Sequence, residues 1–163
     1  MKEFLRWLLA RLWKNYGSVT DTIYRSGQMG RIRLYVTFKL KKFKYVIGLN
    51  MDGSNSAEKF EKEYCDKHSI PYIHYNWSAG TNADPEQLFI VIGQLEENER
   101  SGCRTLIHCA GGRDRTGGAV GHWLFKSKRG SAEKFLAQCC RHKIPAEGWL
   151  RSVFSELDWN LII

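Results

Sequence analysis

Two hydrophobic periods share this chain. Short apolar runs bounded by turn residues read as buried strands: Ile23 to Gln28, Tyr45 to Asn50, Ile70 to Tyr75, and Thr105 to Ile107 between Gly102 and a glycine-rich turn. Between them, apolar residues recur at the three- and four-residue spacing of helices. Residues 30–42 read as a helix, with a strand as the alternative because β-branched residues are frequent there. Ser56 is placed to cap a helix running to about His68, with Phe60 and Tyr64 on its buried side. Asp84-Pro85-Glu86 opens a long helix to about Arg100 that buries Leu88, Ile92 and Leu95, with Pro85 near its first position. From Thr116, small residues and then Val120, Trp123 and Leu124 mark a helix over 116–127. Two more follow at about 131–142 and 147–158, punctuated by Ser131 and Pro145.

Residues 1–16, within an N-terminal segment 1–18, read as an amphipathic helix. Phe4, Leu5, Leu8, Leu9 and Leu12 gather opposite Lys2, Glu3, Arg6 and Lys14. It either packs on the domain or lies on an acidic membrane surface. Arg6 and Arg11 interrupt the apolar core that an export signal needs, so a cytoplasmic location is expected, with a removed signal peptide as the alternative.

Strand, helix, strand, helix, strand at these lengths means an α/β fold: a central, mostly parallel twisted sheet flanked by helices. The 163 residues suffice for a single domain spanning 1–163, with no repeats or linkers. The five cysteines are an odd number without metal-type spacing, and Cys139 and Cys140 are adjacent, which argues for reduced thiols. No metal and no cofactor is expected. His122 and His142 read as surface or core histidines rather than ligands. The formal net charge of +8 attracts phosphates of any kind, and by itself does not choose among nucleic acid, acidic lipid and a polyphosphorylated small molecule.

The chemistry concentrates between Leu106 and Gly118. A cysteine, Cys109, opens the glycine turn, an arginine, Arg115, closes it, and a helix follows. Such a loop curls so that its backbone N–H groups point inward, making an anion nest at a helix N-terminus. Arg115 then presents a planar fork to two oxygens of one phosphate. Cys109, in that positive field, is expected to ionise in the roughly 3.5–7.5 range of activated thiols and to act as a nucleophile for phosphoryl transfer. A phosphomonoester also needs an acid for its leaving oxygen. Asp84 and Asp114 are the candidates. Asp84 is readily explained as a helix cap, whereas a negative charge at Asp114 weakens an anion nest unless it works as an acid.

The run His108-Cys109-x-x-Gly112-x-x-Arg115-Thr116 resembles the signature of the cysteine-dependent phosphatase superfamily, in its dual-specificity branch. Tyr24-Arg25-Ser26-Gly27-Gln28 is similar to a segment of the plant and fungal atypical dual-specificity phosphatases and their bacterial relatives, although Met29 stands where those carry Pro. A sulfurtransferase or an arsenate reductase resembles the loop less well. The former usually has a shorter loop, and the latter carries it near the N-terminus.

The resemblance implies a metal-independent phosphatase working through a cysteinyl-phosphate. Cys109 is then the nucleophile. Ala110, Gly111, Gly112, Arg113, Asp114, Arg115 and Thr116 bind the phosphoryl group. Asp114 is favoured as general acid, and Thr116 hydrogen-bonds the sulfur. His108 is expected to order the loop rather than act as a base. Arg25 is expected to hold its strand rather than touch substrate. The group includes inositol polyphosphate and pyrophosphate hydrolases, so the expected partner is an anionic phosphorylated substrate, inositol polyphosphates such as phytate foremost, with no nucleic acid. Phosphotyrosine and phosphoinositide substrates are the alternative, and a silent phosphate-binding module is the non-enzymatic one. The lysines Lys39, Lys41, Lys42 and Lys44 read as a solvated face, with phosphate steering as the alternative.

Overall fold

A computed structural model describes residues 15–50, 55–77 and 84–127. The amphipathic helix expected over 1–16 and the helices expected at 131–142 and 147–158 lie almost wholly outside the described residues, as does His142. In chain order the elements are β1 (Gly17–Ser18), β2 (Ile23–Gly27), α1 (Arg31–Lys41), β3 (Tyr45–Gly48), α2 (Ser56–Lys67), β4 (Tyr72–His74), α3 (Pro85–Arg100), β5 (Thr105–Cys109) and α4 (Asp114–Lys126).

The strands form one sheet in the order β1-β2-β5-β3-β4. β2, β5, β3 and β4 pair parallel, and β1 adds an antiparallel edge. Alternation along the strands separates two cores. Ile23, Ile47 and Ile107 face α3 and α4, packing with Val91, Leu95, Val120 and Trp123. Val46 and Leu106 face the other way, against Leu34 and Phe38 of α1 and Cys65 of α2. This is the expected α/β sandwich, with β5 central and both its faces buried.

Residues 31–41 are helical, which removes the strand alternative: burying Leu34, Thr37 and Phe38 on one face outweighs β-branched propensity. Two local expectations need correction on α2. Its cap is Asn55, not Ser56, because the Asn55 side chain accepts from the Ala57 and Glu58 N–H groups. Its inward face carries Glu58, Glu61 and Cys65, while Phe60 and Tyr64 lie half-buried at the edge of the core. The short strand β1 was not signalled by the hydrophobic pattern; two residues are too few to show a period.

Candidate active site

β5 delivers Cys109 at its carboxyl end, where α/β sheets place their ligands. The chain then turns through residues 110–113 and enters α4 at Asp114, two residues before the Thr116 start expected from the apolar pattern. Three side chains or backbone groups hold the turn from outside. The Gln28 N–H donates to the Ala110 carbonyl at 3.2 Å. Asn15 Nδ2 donates to the Gly111 carbonyl at 2.7 Å. Arg25 Nη2 donates to the Gly112 carbonyl at 2.7 Å.

These three bonds dictate where the N–H groups go. In a planar trans peptide the carbonyl and the next N–H point in opposite directions, and the described chain has no cis bond. Carbonyls 110, 111 and 112 drawn outward therefore turn the N–H groups of Gly111, Gly112 and Arg113 inward. The Gly112 N–H does reach the Cys109 sulfur, at 3.2 Å. Asp114 opens the first turn of α4, whose N-terminus adds its dipole to the same cavity. The expected nest is thus assembled, with the sulfur at its floor.

Cys109 is 2% exposed. Burial by itself pushes its thiol up. The Thr116 hydroxyl and N–H, the Arg115 guanidinium and the Gly112 N–H outweigh that and hold the thiol below its ordinary value. The Thr116 hydroxyl is buried and faces the sulfur, and among the described residues it has no other hydrogen-bond partner. Arg115 is half-buried, and its Nη1 donates to the Trp77 carbonyl at 2.6 Å, the only hydrogen bond of its side chain among the described residues, while the guanidinium fork carries further donors suited to an anion. Arg113 is exposed.

Arg25 is fully buried and braces the loop, in line with a structural rather than a substrate-contacting role. His108 is buried too; its Nε2 lies 3.1 Å from Glu61 Oε2. Asp84 is exposed, and its carboxylate accepts the Glu86 N–H as the cap of α3. The lysines at 39–44 do not join the site. The Lys44 N–H bonds the Arg104 carbonyl just before β5 begins, so this cluster lies at the end of the parallel sheet opposite the loop. That geometry keeps them from contacting a phosphoryl group bound in the loop. His122 is half-buried on α4.

Three contributors were not singled out from the sequence. Asn15 and Trp77 act through long-range contacts without a local signal. Glu61 had a partial one: Glu58, Glu61 and Cys65 follow three- and four-residue spacing and so share a face, but hydrophobicity alone points to Phe60 and Tyr64.

No protein-family model and no curated protein matches the sequence. Solved structures do resemble it. Tk-PTP in its active form superposes with a TM-score of 0.73 at 23% identity, covering 90% of this chain and 97% of that one. The core catalytic domain of the PP-IP phosphatase SIW14 from S. cerevisiae gives a TM-score of 0.69 at 19% identity, covering 91% of this chain and 88% of that one. PTPMT1 in complex with PI(5)P gives a TM-score of 0.68 at 15% identity, covering 86% of this chain and 92% of that one. With a mostly parallel sheet and a cysteine-to-arginine loop at the end of its central strand, this chain has the fold of the dual-specificity-like, cysteine-dependent phosphatases.

Proposed function

We propose that the protein is a cysteine-dependent phosphatase acting on inositol polyphosphates or inositol pyrophosphates. The observation that carries the phosphatase reading is the loop with three carbonyls held outward and a lowered-pKa thiol at its floor. Inward N–H groups and the guanidinium of Arg115 bind the three non-bridging oxygens of a phosphoryl group. The Cys109 thiolate attacks phosphorus in line, an S–P bond forms, and the P–O bond to the leaving group breaks. Asp114 gives its proton to the departing oxygen. Its carboxylate then takes a proton from water, the hydroxide attacks phosphorus, and the S–P bond breaks to return the thiolate and release inorganic phosphate. Thr116, facing the sulfur, stabilises that departing thiolate.

Asp114 suits this role better than Asp84, because it stands between Cys109 and Arg115 in the first turn of α4 while the Asp84 carboxylate is engaged as a helix cap. The substrate class is supported by the +8 net charge, the exposed Arg113 and the likeness to a PP-IP phosphatase. A phosphoinositide substrate is the second reading, favoured by the likeness to PTPMT1, whose structure holds PI(5)P.

Phosphate release from phytate, an inositol pyrophosphate, a phosphoinositide, a phosphotyrosine peptide and an aryl phosphate, each beside Cys109→Ser, tests both levels. Cys109-dependent release from the soluble inositides supports the proposal. Preference for the lipid or the peptide moves the substrate and keeps the mechanism. No release and no trapped cysteinyl-phosphate from any of them makes the protein a binding module.

A further inference from the structure

α2 turns two carboxylates into the protein interior, and the mechanism above uses neither. Glu58 Oε1 is held by Asn50 Nδ2 at 3.2 Å and Asn55 Nδ2 at 2.9 Å. Glu61, 1% exposed, places Oε2 3.1 Å from Gln28 Nε2 and 3.1 Å from His108 Nε2. The neighbours of His108 make room for this approach. In register beside it stand Ser26 on β2 and Gly48 on β3, small residues that leave the sheet face open to Glu61. A buried carboxylate without donors or a counter-charge costs several kcal/mol, and the groups that meet Glu61 here are the Gln28 amide and the His108 imidazole.

Both partners of Glu61 lie next to the loop. The Gln28 N–H donates to the Ala110 carbonyl, and His108 immediately precedes Cys109. We infer that Glu61 is a positioning residue for the nucleophile: through Gln28 and His108 it ties together the two chain segments that carry the loop, and it keeps a cation behind Cys109. This rests on the reading of Cys109 as the nucleophile and adds to it a role for α2.

The groups around His108 are consistent with that charge state. Glu58 acts on it from α2 and Cys109 follows it on β5, while Cys65 on α2 and Tyr72 on β4 act on its partner Glu61; Ser26 and Gly48 bring no charge. Burial pushes the Cys65 thiol up to about 12 and raises the Tyr72 phenol, so both stay neutral. Burial also works against a charged His108, but Glu61, Cys109 and Glu58 together hold the imidazole above its ordinary value. Cys109 belongs to the core on the opposite face of the sheet, so the cation acts on it across the backbone of one residue rather than by contact.

The test is the pH dependence of iodoacetamide labelling of Cys109 in the full chain, read on its own peptide by mass spectrometry. Wild type is compared with Glu61→Gln, His108→Asn and the double variant, with melting curves alongside. The expected result is a midpoint raised by about one pH unit in each single variant, and no further in the double. A low wild-type midpoint that neither single variant moves overturns the inference alone. A wild-type midpoint at the ordinary thiol value overturns the catalytic reading together with it. Where Glu61→Gln does not fold, His108→Asn decides, with Glu61→Asp, which retains the charge, expected to keep the low midpoint.

Discussion

Gly112 and Gly27 lie against each other backbone to backbone. A Cβ on Gly112 would stand 2.3 Å from the Gly27 nitrogen and 2.4 Å from the Ser26 carbonyl carbon, and Gly112 sits at φ +67°. A Cβ on Gly27 would in turn meet the Gly111 carbonyl carbon at 2.9 Å. The two glycines let the end of β2 and the phosphate loop approach closely enough for Arg25 and Gln28 to reach loop carbonyls. Gly112→Ala meets both a left-handed conformation and an overlap with rigid backbone. It is expected to destabilise the fold by about 2–4 kcal/mol and to abolish turnover. Gly27→Ala keeps an ordinary backbone conformation but meets loop backbone at 2.9–3.0 Å, so residues 110–111 must shift; it is expected to destabilise less than Gly112→Ala while losing roughly 10-fold to 100-fold in kcat/KM. Thermal melts and steady-state assays separate the two; a Gly27→Ala enzyme with full activity would show that this close approach is dispensable.

Asp114 and Cys109 are expected to fail differently. Cys109→Ser should leave no measurable turnover on any substrate. Asp114→Asn should lose about 10²–10⁴-fold on alkyl phosphates, whose leaving oxygen needs a proton, and much less on a good aryl leaving group. Equal losses on both would move the acid elsewhere, Asp84 being the alternative.

The Thr116 hydroxyl faces the sulfur and bonds nothing else among the described residues. Thr116→Val is therefore expected to raise the pH needed for Cys109 labelling and to slow the second step more than the first. Rapid-quench kinetics should then show a burst with accumulated cysteinyl-phosphate. A slowed burst with no accumulation would place its effect on attack instead.

Arg25 holds the Gly112 carbonyl from within the core. Arg25→Met retains the aliphatic bulk but leaves that carbonyl unsatisfied, with an expected loss of about 1–3 kcal/mol in stability. Urea titration reads this directly, and an unchanged midpoint would assign the bracing to Gln28 and Asn15.

Stability should carry an opposite pH signature from the two neighbours on β5. His108 is raised above its ordinary value, so its contribution is fully present below about 6.5 and is lost as pH climbs through the raised value. Cys109 is lowered, so its contribution grows as pH rises from the lowered value and is complete only above the ordinary thiol value. The difference in melting temperature between wild type and His108→Asn is accordingly expected to be larger at about pH 6 than at about pH 9. The reverse order would mean that His108 is neutral in the folded protein.

Local patterns carried most of the architecture. The strand at 105–107, the glycine turn and the following helix are contiguous, so period, turn chemistry and helix start could be read together, and Cys109, Gly112 and Arg115 with them. Strands and helices elsewhere followed from runs and spacings within about fifteen residues, the range over which backbone geometry imposes a period. What bonds the loop carbonyls lies far from it in sequence: Asn15, Arg25 and Gln28 meet residues 110–112 only because β2 pairs with β5. The inward face of α2 was likewise undecidable locally. Hydrophobicity ranks Phe60 and Tyr64 above Glu58 and Glu61, and burying a carboxylate is favourable only where a counter-charge and donors await it. His108 and Gln28 provide these for Glu61 after the sheet has formed. The sequence by itself determined the fold class and pointed to Cys109 and the glycine turn after it, because each is written in neighbouring residues. The tertiary structure alone decided which groups hold that loop and which side chains stand behind it, because those depend on contacts between segments that only folding brings together.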